Sequence, residues 1–217
     1  MSPATISIRD ALHFAWVTLR AHLQPLLILG ACGLGLALIS QSLGRSGAGG
    51  IILSAGVQLL QVALTLLLIR VALKLHDGEP VDLSNLSPML AGFFPYLVTS
   101  FLLGLILAVG FALLIVPGVF LALALGFAPF FVAERTHEPV EALSASRQLT
   151  RALKGPLFKF GLALLGLNLL GMLALGVGTV VTVPMSALAS AWVFRRLQGR
   201  SEPVLPRPES HFTPRAA

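Results

Sequence analysis

In this chain of 217 residues, 56% are apolar and only 11% charged, whereas a water-soluble domain needs roughly a quarter of its residues charged to cover its surface. The formal charge of +6 comes without a basic run interleaved with aromatics and without a finger, knuckle or helix-turn-helix pattern; this excludes nucleic acid and favours attraction to anionic lipid headgroups. A single cysteine, Cys32, permits neither an internal disulfide nor a cysteine metal cluster.

The chain order reads as one all-α, polytopic integral membrane domain over residues 1–197. Ser7 opens a helix over about 7–22 with a capping pattern completed by Asp10. Ile8, Leu12, Ala15, Leu19 and Leu23 recur at helical spacing, with Trp16 alongside and Arg9, His13 and Arg20 elsewhere. That is an amphipathic helix for the membrane interface, with packing on other protein as the competing explanation. A bilayer core takes about 20 apolar residues per helix. By that ruler the spans are 26–42, 51–70, 94–116, 118–134, 157–175 and 178–195. The stretch Leu26 to Ile39 could serve as a signal-peptide core, but the residues before it carry Arg9, Asp10 and Arg20, so the first span is expected to be retained.

The Gly-rich stretch from Gly44 to Gly50 turns the chain between the first two spans, and Arg70 and Lys74 end the second, with Arg70 near enough to an end to snorkel. Pro117 and Gly118 break the helix between the third and fourth spans. Between the fourth and fifth, Pro139 to Leu153 makes a second amphipathic helix. Ala142, Ala145, Leu149, Ala152 and Leu153 form its apolar stripe; Arg147, Arg151 and Lys154 form a basic face and are the candidate lipid-headgroup contacts. Residues 198–217, with Pro203, Pro206, Pro208 and Pro214, read as a disordered cytoplasmic tail.

Six crossings place every Lys and Arg except Arg45 on one side, together with all nine carboxylates. By the positive-inside rule both termini are cytoplasmic, and both amphipathic helices lie on that side.

One stretch is more specific. Ile115-Val116-Pro117-Gly118-Val119-Phe120-Leu121, then Phe127-Ala128-Pro129-Phe130-Phe131-Val132-Ala133-Glu134, then Pro139-Val140-Glu141-Ala142-Leu143 and Ser146 resemble the YciC-like bacterial integral membrane proteins. These are in turn similar to the membrane domain attached to some glycerophosphoryl diester phosphodiesterases. The resemblance implies a six-helix protein of the bacterial inner membrane and transfers no catalytic residue, because the soluble phosphodiesterase domain has no counterpart in this chain.

Chemistry is sparse. Gln58, Gln61 and Thr65 share one face of the second span, and with Asn168 on the fifth they form the candidate intramembrane polar cluster. Such groups either line a cavity or tie helices together, the latter at about 0.6–2 kcal/mol per contact. Small residues at four-residue spacing, such as Gly104, Ala108 and Ala112, suit close helix packing within the chain or in a homo-oligomer. No Asp, Glu, Lys or His lies deep in an expected span. There is no phosphate loop, paired-His zinc motif or nucleophile elbow, so no catalytic, cofactor-binding or metal residue is expected. The sequence thus points to a non-enzymatic inner-membrane protein in envelope or lipid organisation or partnering other membrane proteins; the alternative is a small carrier or channel for an uncharged or lipid-like solute.

Overall fold

The structure, a computed structural model, describes residues 7–44, 47–81, 87–134, 138–151, 153–174 and 176–199. The expected tail from residue 200, Arg45, Arg135 and Ala152 lie outside the described residues. Among those described, all regular structure is helical: α1 (Ile8–Ala21), α2 (Leu23–Leu43), α3 (Gly47–Asp77), α4 (Ser87–Leu90), α5 (Phe93–Leu113), α6 (Ile115–Leu125), α7 (Ala128–Glu134), α8 (Pro139–Thr150), α9 (Lys154–Leu173) and α10 (Thr179–Leu197).

Ser7 caps α1 from an extended backbone, its Oγ accepting the Asp10 N–H at 3.3 Å, as the sequence predicts. The face that α1 buries overlaps the predicted stripe at Ala15 and Leu19, with Ile8 and Leu12 half-buried against the core, and extends to residues outside it. Ala11, Phe14, Ala15, Thr18 and Leu19 are enclosed, chiefly against α10, while Leu23 and Trp16 are exposed. The small side chains of Ala11 and Ala15 let α1 sit close against α10.

Five stretches are long and apolar enough to cross a membrane: Leu23–Leu43, Gly49–Asp77, Phe93–Leu113, Ile115–Glu134 and Lys154–Leu173. The expected sixth span exists as helix α10 but falls outside this set by composition. It carries Thr179, Thr182, Pro184, Ser186, Ser190, Arg195 and Arg196, and packs among α1, α2, α3 and α9. Of its polar groups Thr182 and Arg195 are buried and the rest half-buried. Gly30 of α2 lies against the Val180 carbonyl of α10, where any β-carbon would collide with backbone.

Three element boundaries differ from expectation, each for a local reason. Helix α3 does not stop near Arg70 but runs on to Asp77, where Gly78 at φ 72° ends it, because Arg70 folds inward onto carbonyls. The break between α5 and α6 falls at Leu114 (φ −167°, ψ 151°), not at Pro117 and Gly118. Pro117 instead sits in the first turn of α6, where a missing N–H costs nothing, and Gly118 packs face to face with Gly110. The expected fourth span is itself split: α6 ends at Leu125 and α7 starts at Ala128, next to Pro129, which has no N–H to offer Leu125.

Burial is uneven. Leu66 to Leu75 of α3, Phe127 to Ala133, and Leu188 to Phe194 of α10 form the core with α1, and the rings of Phe127, Phe130 and Phe131 pack on Phe194 at 4.9–6.0 Å. At the opposite end apolar side chains turn outward, leaving Ile52, Leu113 and Leu173 at 75, 72 and 79% exposure.

Candidate functional site

The C-terminal ends of α3, α7 and α10 converge, and each brings an ionisable side chain. Arg195, 4% exposed, donates from Nε to Asp77 Oδ1 at 3.0 Å and from Nη2 to Asp77 Oδ2, a two-pronged pair. Its Nη1 donates to Glu134 Oε1 at 2.5 Å and to Gln198 Oε1 at 3.3 Å, and Gln198 Nε2 donates to Glu134 Oε2 at 3.0 Å. One planar cation thus joins two carboxylates 61 and 118 residues distant in sequence. Its position at three helix C-termini adds the attraction of their partial negative charge. Beside it, buried His76 places Nδ1 3.2 Å from Asp77 Oδ1 and meets the Phe14 ring of α1 edge-on at 5.4 Å.

Arg70 performs a second joining role. Its Nε donates to the Ala133 carbonyl at 3.0 Å, Nη1 to Met89 at 2.8 Å and Nη2 to Ala91 at 2.5 Å. Rather than snorkelling outward, the guanidinium satisfies carbonyls at the end of α7 and around α4, groups that a helix terminus leaves open.

Helix α8 seals the split fourth span. Ser146 Oγ accepts the Phe127 N–H at 3.2 Å and donates to the Ala124 carbonyl at 3.0 Å; Thr150 Oγ1 donates to the same carbonyl at 3.1 Å. The docking line of α8 is therefore Ala142, Ser146 and Thr150, all buried, with the predicted stripe members Ala145, Leu149 and Leu153 only half-buried. Arg147, Arg151 and Lys154 are exposed on this flank, and Lys154 Nζ stands 5.2 Å from the Phe120 ring centre.

The four polar residues of the expected cluster do not meet. Gln58 and Thr65 are exposed on α3, and Thr65 Oγ1 donates to the Gln61 carbonyl of its own helix at 2.9 Å. Gln61 is half-buried beside Gly33 of α2, its Oε1 enclosed without a hydrogen-bond partner among the described residues. Asn168 lies elsewhere, donating from Nδ2 to Ser186 Oγ of α10 at 2.9 Å and to the Leu164 carbonyl at 2.9 Å. Ser186 passes its proton on to the Thr182 carbonyl at 2.7 Å, so the amide links α9 to α10.

In the sequence His76 and Asp77 read as part of a polar connection, Glu134 and Arg195 as the ends of spans, and Gln198 and Thr150 have no role. Nothing in local spacing signals their convergence. Ser146 does carry a signal, since it belongs to the stretch on which the family resemblance rests. Among the described residues no three His, Cys, Asp or Glu side chains gather as a metal site requires.

Comparison with known proteins gives relatives but no function. Uncharacterized protein Rv2560 of Mycobacterium tuberculosis and Uncharacterized protein Mb2590 of Mycobacterium bovis are each 29% identical to this chain over 145 residues. The matched region is 65% of this chain and 44% of each relative, so the chain spans less than half the length of the curated relatives it matches. No family model matches, and no solved structure matches.

Proposed function

We propose that this protein is a non-enzymatic component of the bacterial inner membrane that organises lipid at the cytoplasmic leaflet. The three hairpins α2–α3, α5–α6 and α9–α10 depart from and return to the cytoplasmic face, which holds both termini, α1 and α8. The single observation that carries this reading is the exposed basic flank: Arg147, Arg151 and Lys154 stand outward from α8 and the start of α9, while Ser146 and Thr150 pin that helix to the membrane-embedded α6. A cationic face held rigidly against apolar helices suits anionic headgroups. The cations drawn inward at this end, half-buried Arg70 and buried Arg195, are paired with carbonyls and carboxylates of the same chain, which suits a scaffold.

The test is lipid retention. Full-length protein extracted with its annular lipid is expected to carry an excess of anionic over zwitterionic phospholipid, and reversal of all three charges (Arg147→Glu, Arg151→Glu, Lys154→Glu) should remove that excess. An unchanged ratio in a folded variant contradicts the proposal.

One observation bears on the second reading, a small carrier for an uncharged solute: Gln61 Oε1 has no hydrogen-bond partner among the described residues, so a donor reaching it between α2 and α3 would satisfy it. If that is its role, Gln58→Leu with Gln61→Leu abolishes solute uptake by reconstituted protein while leaving it folded. If the amide only packs, uptake by the variant equals that of the wild type.

A further inference from the structure

Helix α3 carries two rows of side chains one residue out of step. Gly50, Ser54, Val57, Gln61 and Leu64 are buried or half-buried, and Gln61 and Leu64 lie against Gly33, so this row faces α2. One residue further on, and so about 100° around the helix, come Ile51, Ala55, Gln58, Val62 and Thr65, all exposed except half-buried Val62. Their alternating spacing of four and three is that of the a and d positions of a heptad seam. In a four-helix bundle each helix meets its two neighbours at nearly a right angle, so a second partner fits here beside α2 without displacing it.

Gln58 is what marks this row as a contact. It is exposed and makes no hydrogen bond among the described residues, whereas Thr65 of the same row bonds the Gln61 carbonyl of its own helix. From Gly47 to Gln58 the helix rises about 16 Å, and from Gln58 to Arg70 about 18 Å, against a hydrocarbon thickness of about 30 Å. The sequence has no ionisable side chain from Ser46 to Ile69, and Ile51, Ile52 and Leu53, at 60, 75 and 60% exposure, draw the hydrocarbon boundary beyond them. Gln58 therefore lies near the midplane, and its side chain is too short to reach either headgroup layer. Acyl chains offer its amide neither donor nor acceptor, and the chain by itself leaves it unsatisfied.

Whatever covers Gln58 must supply a donor and an acceptor at the same depth. The rest of the row holds no path for water or a solute, since Thr65 is already bonded and Gln61 belongs to the row facing α2. A second copy of the chain supplies both groups, because a primary amide donates and accepts and is thus complementary to itself. Copies inserted in the same direction are related by a two-fold axis along the membrane normal, which sets α3 parallel to its copy and each seam residue opposite its own equivalent. Ala55, one turn from Gln58, lets the backbones approach, and one polar side chain in an apolar seam fixes the register.

We infer that α3 is the seam of a parallel homodimer within the membrane, with Gln58 hydrogen-bonded to the partner's Gln58 and with Ile51 and Ala55 packed beside it. Ile52 and Leu59, at the rim of this contact, keep a side toward lipid, and Leu53 and Leu60 face away from it. Nothing in the pairing depends on the basic flank of α8, so it stands apart from the headgroup reading.

Single cysteines, Ile51→Cys, Ala55→Cys and Gln58→Cys on the seam and Leu53→Cys and Leu60→Cys opposite it, each in full-length protein carrying Cys32→Ala, are oxidised in native membranes with copper phenanthroline. We expect disulfide-linked dimers from the three seam positions and none from the two controls. In liposomes, energy transfer between copies labelled at the C-terminus should show the dissociation constant of the dimer raised about 3- to 30-fold by Gln58→Leu. Because Gln58 has no bond within its own chain to lose, that variant keeps the monomer fold. No cross-link at the seam, cross-linking as strong at Leu53→Cys and Leu60→Cys, or a wild type that stays monomeric at every protein-to-lipid ratio overturns the proposal, as does an unchanged dissociation constant in Gln58→Leu. Reaction of Gln58→Cys with a membrane-impermeant maleimide in intact membranes means that the amide faces water, and also overturns the pairing.

Discussion

The two ends of this molecule are held together by different physics. At the end where α3, α7 and α10 terminate, side chains interlock: Arg195 pairs with Asp77 and Glu134, Arg70 with three carbonyls, and Phe194 with three phenylalanines. At the other end, helices meet through glycines and turn apolar surface outward, with Ile52, Leu113 and Leu173 among its most exposed residues. The contrast teaches that burial by protein is not what makes the second end stable. Acyl chains solvate those side chains as well as a core would, so helix association there rests on close backbone packing. The first end must satisfy charges and carbonyls that lipid cannot, and does so with side chains of its own chain.

The largest effect that would sharpen this contrast is expected at Arg195. Arg195→Leu leaves Asp77 and Glu134 facing each other without their cation, at a cost of about 3 kcal/mol, the lower end for a broken buried pair because both carboxylates retain some solvent. The midpoint of thermal unfolding in detergent should fall clearly, and an unchanged midpoint would break the comparison. Gly118→Ala strikes the opposite end. A β-carbon there meets the Phe111 ring at 2.5 Å, so overpacking of about 1–3 kcal/mol is expected, with increased hydrogen exchange in α5 and α6 and none added around Arg195. Exchange rising equally at both ends would mean that they do not behave as separate regions.

Smaller losses follow where α8 docks. Ser146→Ala leaves the Phe127 N–H without its acceptor, while Thr150 still serves the Ala124 carbonyl. About 1 kcal/mol is expected, read as faster amide exchange at Phe127, with the fold kept. Asn168→Leu is the mildest change, about 0.6 kcal/mol for one lost bond to Ser186, measurable as a small drop in unfolding midpoint.

Much of the apolar architecture is legible in the sequence because hydropathy over a 20-residue window is a property of the segment alone. The N-cap at Ser7, the first-turn proline of α8 and the place of α2 follow from local rules. The polar end is not legible, because the partners of Arg195 lie 61 and 118 residues away and look locally like ordinary helix exits. Arg70 misleads for a related reason: a cation at a span's end ordinarily reaches for water, and only the tertiary fold supplies three carbonyls instead. Likewise the helix break is sought at Pro117, the residue with the strongest local signal, while the chain turns at Leu114, where Gly110 and Gly118 can touch. The stripe on α8 gives the docking line only in part, through Ala142, because the hydroxyls of Ser146 and Thr150 are drawn to the freed Ala124 carbonyl.

Helix α3 runs through both regions, and a nitroxide scan along it in lipid nanodiscs tests the central claim most directly. The account predicts high oxygen access and little nickel-chelate access at Ile52 and Leu59, reversing to strong chelate access at Glu79 just past the helix end. Oxygen exclusion at Ile52 and Leu59, or chelate access at both, would contradict it.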